Sequence, residues 1–177
     1  MKNYTFKKVD EKLTLDSPVW NDVEKATLDN DNFCGENAEK ITVTAQGVCT
    51  KYGITVKFES DEKNPVIKYS HANQPAWTDS CVEFFLAPYP DEKGNYLNFE
   101  QSLGGALLLQ KGPNAADRTY IPHSDEFFET EKHIDENGWK IKFFIPFSFI
   151  DKHFVTMNKK FRGNFQFCCE DKNVYLT

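Results

Sequence analysis

Short stretches of alternating apolar and polar residues recur along the chain, separated by turn signals. Because successive side chains of a strand point to opposite faces, this pattern predicts half-buried antiparallel strands. Glycines in the turns at 91–94, 103–105 and 135–138 suit tight connections. We expect an all-β protein, a jelly-roll-like antiparallel β-sandwich with at most one or two short helices, as a single domain over residues 1–177. The predicted elements are strands at 4–9, 40–48, 52–59, 80–88, 95–102, 106–111, 127–134, 139–145 and 161–170, and a helix at 147–152.

The strand at 139–145 shows the alternation clearly. Its odd-numbered positions are all apolar and begin with Trp139, whereas Lys140 and Lys142 occupy the other face. Trp139 is therefore predicted to lie in the core and not to serve as a ligand platform. Pro146 ends this strand because it has no N–H to donate.

The strand at 80–88 breaks the pattern, because Glu83 shares a face with Cys81 and Phe85. A charge among apolar neighbours loses hydration unless something forms hydrogen bonds with it. Two interpretations stay open: an edge-strand glutamate with half-covered neighbours, or a carboxylate that binds a ligand.

The segment 60–78 is the longest without a strand pattern, and it holds Tyr69 and Trp77. A loop of this length in a compact domain is commonly functional. The other interpretation is a surface excursion anchored by these two aromatic residues.

Composition and charge remove several classes of function. The chain has a formal net charge of −6 and a pI near 5.3, and no basic stripe crosses it. Binding to nucleic acid or to an anionic membrane surface depends on such a stripe, so we expect neither partner. Sixteen Phe, seven Tyr and three Trp give an aromatic share that favours sheets.

The cysteine pattern bears on the compartment. Five cysteines without C-x-x-C spacing predict buried free thiols and a reducing environment, although one disulfide with free thiols stays open. The first residues lack the apolar run of a signal peptide. We therefore expect a cytoplasmic location, or an extracellular one if the sequence is a mature fragment.

Catalytic and metal-binding signatures are sparse. The nucleophile elbow, the phosphate loop and the dinucleotide fingerprint are missing, and the four histidines lack metal-ligand spacing. The polar run at 29–32 does not match the calcium-binding loop of an EF-hand. A calcium site at the edge of the sandwich stays open as an alternative, and the sequence assigns no ligands to it. Glu83 and Glu100, on adjacent predicted strands, could form the paired carboxylates of a small glycoside hydrolase. A haem-binding sandwich would need Met157, the internal methionine.

Four segments occur in an order that resembles the family 9 carbohydrate-binding modules and family 9-like sandwiches. They are V-E-F-F-L at 82–86, Y-L-N-F-E at 96–100, N-G-W-K-I-K-F-F-I-P-F at 137–147 and F-R-G-N-F-Q-F-C at 161–168. The resemblance runs from about Trp20 to the end of the sequence. It implies a sandwich that binds a mono- or oligosaccharide without cleaving it, often with a glycoside hydrolase as partner and sometimes with calcium.

The resemblance also implies roles for individual residues. The Trp77 ring would stack on a sugar, and Glu83 and Glu100 would accept hydrogen bonds from hydroxyls, assisted by Asp79 and Gln166. The second stacking aromatic of the family comes from beyond the last strand, where Tyr175 is the nearby candidate. A clamp with one aromatic side, a shortened chain and a lost activity are the alternatives. Six residues of straight strand span roughly 20 Å, so the chain must turn between Trp77 and Ser80 for Trp77 and Glu83 to touch one ligand.

Overall fold

The described part of the chain contains twelve strands and little helix. The computed structural model describes residues 3–31, 34–88, 94–154 and 161–177. In chain order the strands are β1 (Lys7–Lys8), β2 (Ala26–Thr27), β3 (Val43–Cys49), β4 (Gly53–Ser60), β5 (Cys81–Pro88), β6 (Tyr96–Ser102), β7 (Leu107–Gly112), β8 (Thr119–Tyr120), β9 (Glu131–Asp135), β10 (Gly138–Pro146), β11 (Phe161–Cys169) and β12 (Val174–Leu176).

These strands form two six-stranded sheets. The first sheet has the order β1-β3-β4-β10-β9, with β2 paired to β3. The second sheet has the order β12-β11-β5-β6-β7-β8. Neighbouring strands run antiparallel except for the parallel pair β1 and β3. The predicted antiparallel β-sandwich is confirmed.

The core lies between the two sheets. On β5, Val82, Phe84 and Leu86 share one face, as strand alternation requires, and this face points into the core. From the facing sheet, Phe143 stacks against Phe99 with ring centroids 6.2 Å apart. Trp139 is 2% exposed, so its predicted core position is confirmed.

Helical structure is short. The α-helix α1 covers Phe147–His153, one residue longer than predicted, and 3-10 turns occur at Pro18–Asp22, Ala76–Thr78 and Glu170–Lys172. No helix in the described ranges has the length and apolar character that a bilayer span requires.

Three predicted strands begin several residues too early, and the one at 40–48 begins only at Val43. The strand at 4–9 is reduced to Lys7–Lys8, and the strand at 127–134 begins only at Glu131. Phe127 and Phe128 lie in a turn instead, where Phe128 packs edge-on against Phe149. The apolar residues of this turn were mistaken for the start of a strand because Phe128 is buried as a strand residue would be.

Each of the three predicted turns contains a glycine with a positive φ, and the turn at 91–94 is described only at Gly94. At 135–138, Gly138 has a φ of 139°, and a Cβ there would lie 2.0 Å from the Ser60 carbonyl oxygen. Gly105 has a φ of 115°. In the turn at 91–94, residues 91–93 lie outside the described residues, and Gly94 has a φ of 69°.

An N-terminal segment covers the outer face of the first sheet. Leu13, Trp20 and Val23 pack onto Val48 of β3. Beneath this cover the Lys57 ammonium lies 2.8 Å from a Glu59 carboxylate oxygen and over the Trp20 ring. One outer face of the sandwich is therefore occupied by the protein's own chain.

The connection from β4 to β5, residues 61–80, crosses from one sheet to the other and is called here the Trp77 loop. Buried Glu62 accepts hydrogen bonds from Ser80 Oγ (2.8 Å), Trp139 Nε1 (2.8 Å) and Lys172 Nζ (2.6 Å). These bonds tie the loop to β10 and to the turn before β12. The loop is consequently an anchored support for Trp77.

Candidate ligand-binding site

Polar side chains form a row across the outer face of the second sheet. β5 lies between β11 and β6, so the interpretation of Glu83 as an edge-strand residue is wrong. Gln166 on β11 and Glu100 on β6 are the direct cross-strand partners of Glu83. Glu83 and Glu100 are only 8% and 5% exposed. Two carboxyl groups thus lie side by side on a face that points away from the core.

The Trp77 loop brings its tryptophan to the same face. The 3-10 turn Ala76–Thr78 ends just before β5, and its last N–H bond runs from Asp79 to the Ala76 carbonyl. Cys168 Sγ lies 3.6 Å from the Trp77 carbonyl oxygen and 3.1 Å from Glu83 Oε1. Both residues are therefore within reach of one sulfur atom. The turn that a shared ligand requires is present.

Three half-buried aromatic residues border the row: Trp77, Tyr69 and Tyr175. They pack around a small apolar cluster on the outer face, separate from the core. The cross-strand partner of Tyr175 is Cys168, which places the β12 aromatic beside the strand that carries Gln166. An aromatic ring next to carboxylates can bind the C–H face of a sugar while the acids accept its hydroxyls. The members of the cluster are Ala76, Cys81, Ala106, Leu108 and Cys168.

The two carboxyl groups are held in an environment that disfavours charge. Burial, with the neighbouring Glu100 charge, raises the pKa of Glu83 to about 7. Burial also raises the pKa of Glu100, against the opposing effects of Asn98 and Arg118. Near neutral pH the pair therefore holds a proton part of the time, and it can donate as well as accept hydrogen bonds.

Arg118 supplies a positive charge at this row. It precedes the short edge strand β8, and its Nη1 lies 3.6 Å from Glu100 Oε1. Asn98, two residues before Glu100 on the same face of β6, donates to that same oxygen at 2.5 Å. Among the described residues, Asn98 Oδ1, Glu100 Oε2 and Arg118 Nε are buried without a hydrogen-bond partner. Unpaired buried polar atoms are costly, and a group of them on one surface points to a ligand or ordered water.

Of the other residues that the sequence predicts for the site, Gln166 and Tyr175 lie at the row, whereas Asp79 is buried in the Trp77 loop. Gln166 lies in the row next to Glu83, and Tyr175 lies at its aromatic border. Asp79 is fully buried, and its Oδ2 accepts backbone N–H bonds from Lys68 and Tyr69 at 2.9 and 3.0 Å. Asp79 thus holds the Trp77 loop in shape instead of facing a ligand.

Sequence analysis missed Arg118 and Asn98. Asn98 could have been found, because it shares the face of Glu100 by strand alternation. Arg118 follows the turn-rich segment 112–117, and only the pairing of β7 with β8 brings it to Glu100. No local pattern marks that position.

Metal and haem ligands receive no support from the arrangement. Within the described part of the chain, no cluster of three or more His, Cys, Asp or Glu side chains could hold a metal ion. The cysteines that the structure shows are free thiols, with Cys81 and Cys168 buried as expected. Met157, on which a haem site would depend, lies outside the described residues.

The outer face of this β-sandwich gathers aromatic residues and carboxylates, which are groups that can contact the C–H face and the hydroxyls of a sugar. The sequence profile of carbohydrate-binding family 9 matches residues 7–175. The chain belongs to this family, so the resemblance seen in four short segments is confirmed.

Solved structures share the fold. A protein of Bacteroides uniformis ATCC 8492, provisionally described as carbohydrate-binding, has 24% identity and a TM-score of 0.77 over 97% of this chain and 86% of its own. A family 9 carbohydrate-binding module of Caldicellulosiruptor kristjanssonii in complex with cellotriose has 14% identity and a TM-score of 0.61 over 98% and 82%. A glucose complex from the same organism has 13% identity and a TM-score of 0.58 over 96% and 84%. No curated protein sequence matches the chain.

Proposed function

We propose that this protein binds a mono- or oligosaccharide on the outer face of the second sheet, with the Trp77 ring against the sugar and Glu83, Glu100 and Gln166 as hydrogen-bond partners. The observation that carries the proposal is the packing of the half-buried Trp77 side chain on the apolar cluster that includes Cys168, whose Sγ lies 3.1 Å from the Glu83 carboxylate. Family membership supports sugar binding as the activity.

The polar row suits hydroxyl groups in particular. A hydroxyl both donates and accepts, so it can bond to a carboxylate, to the Gln166 amide and to the guanidinium of Arg118 in turn. Tyr175 would border the ring from the β12 side. The neighbours in complex with cellotriose and glucose make these two sugars the first ligands to test.

Replacing Trp77 with alanine should weaken sugar binding about tenfold or more, because the stacking surface is lost. Titration calorimetry with glucose, cellobiose and cellotriose measures the change. Tyr52→Ala is a matched control, since Tyr52 is an aromatic residue that is 59% exposed in the β3–β4 hairpin of the first sheet. Equal affinity of wild type and Trp77→Ala, with both proteins folded by circular dichroism, would contradict the proposal.

The paired carboxylates raise the question of glycoside hydrolysis. Glu83 and Glu100 project side by side from one surface, so both would meet the same side of a ligand. Hydrolysis needs two carboxyl groups that flank the scissile bond. We expect no release of nitrophenol from a panel of aryl glycosides by the wild-type protein; turnover that disappears in Glu83→Gln would establish an enzyme instead.

A glycoside hydrolase as partner belongs to the same proposal. A sugar-binding domain attached to such an enzyme, or working beside it, raises the local concentration of the substrate without new contacts to the active site. Family membership is what supports this partner.

A further inference from the structure

The row carries more acidic groups than basic groups. Two carboxyl groups, Glu83 and Glu100, are set against one guanidinium, that of Arg118. When both acids are ionised, one negative charge is left without a partner in a poorly hydrated place. Such a charge is unfavourable unless a cation or a proton joins it.

The other groups around the row do not correct this imbalance. Buried Asp79 adds a further acid, held by backbone N–H groups. Its neighbour Lys68 is engaged at the surface with Asp171. On the same face Arg162 is exposed, four residues before Gln166 on β11, and it has contacts of its own. Three further ionisable groups at the row stay neutral. Burial raises the pKa of Cys81 to about 12, the hydrogen bond with Cys81 and burial raise the pKa of Cys168, and burial raises the pKa of Tyr175.

The unpartnered atoms at the row are mostly acceptors. Within the described ranges, Glu100 Oε2 and Asn98 Oδ1 of the row lack a donor, and Arg118 Nε lacks an acceptor. Both acceptor residues are at least nine-tenths buried. A ligand that complements this set brings several N–H donors and a positive charge. An ammonium group has three donors and no acceptor.

We propose that the preferred ligand is a sugar with a protonated amino group, a 2-amino-2-deoxyhexose or an oligosaccharide that ends in one, whose ammonium lies against Glu83 and Glu100. This inference depends on the proposed sugar-binding function. The hydroxyls of the same ring provide acceptors for Arg118, and the ring itself lies on Trp77.

The ammonium takes the place of a proton. Near neutral pH the two acids retain a proton because burial and mutual repulsion disfavour the doubly ionised state. Binding of a cationic sugar favours that doubly ionised state, so the retained proton leaves the carboxyl group for the buffer. A neutral sugar does not favour the doubly ionised state, so its binding releases no proton.

Calorimetry with glucosamine, glucose and N-acetylglucosamine tests this inference. At about pH 6.5, where the amine is protonated, glucosamine should bind about tenfold more tightly than either neutral sugar. Its heat should also change between two buffers of different ionisation enthalpy, since protons are released, whereas the heat of glucose should not. Trp77→Ala should lower the affinity for all three sugars.

Variants at the pair give opposite results. Glu100→Gln should weaken the binding of both glucosamine and glucose because it removes a hydrogen-bond partner, but it should bring the affinity for glucosamine down to that for glucose and remove the proton release. Glu83→Gln should likewise remove the proton release. Arg118→Gln should increase the preference, because it removes the competing cation. Glu59→Gln is the control, because Glu59 lies on the first sheet and is paired with lysines. It should change neither the preference for glucosamine nor the proton release.

The outcomes separate the two proposals. Glucose that binds through Trp77 with an affinity equal to that of glucosamine would overturn the amino-sugar inference and leave the sugar-binding proposal intact. The same holds if the preference survives in Glu100→Gln. Failure of every sugar to bind would overturn both.

Discussion

Replacing Glu62 with alanine is expected to lower the free energy of unfolding by about 3–5 kcal/mol, because it breaks a buried ion pair and leaves buried donors unpaired. The Glu62 side chain is fully buried and accepts from Ser80, Trp139 and Lys172. Alanine can replace none of these three bonds. Denaturant unfolding of both proteins measures the difference.

Glu39→Ala is the matched control for this change. Glu39 is a second acid on the Lys172 ammonium, at 3.0 Å, but its side chain is 44% exposed. Exposed ion pairs contribute about 0–1 kcal/mol, so the control should be close to wild type. Equal losses in the two variants would show that the buried network does not hold the sandwich together.

The same Glu62 variant should also weaken sugar binding at temperatures where it is still folded. Ser80 Oγ, which donates to Glu62, in turn accepts the backbone N–H of Val66. The network therefore fixes both ends of the Trp77 loop. Without it, the loop must be ordered when the sugar binds, and that ordering costs affinity.

Local patterns were sufficient to predict the long strands and the alternation of their side chains. Alternation along 139–145 predicted the inward side of Trp139 correctly, and alternation along 80–88 placed Glu83 on one face with Cys81 and Phe85, because the period of a strand is fixed by its backbone. Long strands with several apolar positions carry this signal repeatedly. The predicted strands in the interior of both sheets were accordingly within a few residues of their observed bounds.

Short edge strands were not predictable in the same way. β2, β8 and β12 have two or three residues each, too few for a period to appear. Their pairing depends on neighbouring strands that are distant in sequence. Arg118 reaches Glu100 only through such an edge, so the cation of the site was invisible to sequence patterns.

The direct pairing of Glu83 with Glu100 also required the register. Sequence analysis placed both acids on adjacent strands, but a register shifted by one residue would have turned one of them to the core face. The β5–β6 register sets them opposite each other on a covered face, where burial raises both pKa values and the charge of Glu100 raises that of Glu83 further. The electrostatics of the site are thus a consequence of tertiary structure.

Glu83→Gln is expected to make the protein more stable at alkaline pH, by about 1–3 kcal/mol at pH 8, and to leave it nearly unchanged at pH 4. Burial raises the pKa of Glu83 in the folded protein from 4.5 to about 7. Between these two values the folded state holds a proton that the unfolded state releases, so the stability of the wild type falls as the pH rises. An amide carries no such charge and avoids this loss.

Urea unfolding at several pH values measures the difference between variant and wild type, which cancels groups that titrate equally in both. Glu136→Gln, an exposed acid in the β9–β10 turn, should show no pH-dependent difference. A gap between Glu83→Gln and wild type that stays constant from pH 4 to pH 8 would contradict a buried, destabilising carboxyl. A gap that opens across this range, together with weaker sugar binding, would show that the acid costs stability and is kept for the ligand, as is common at functional sites.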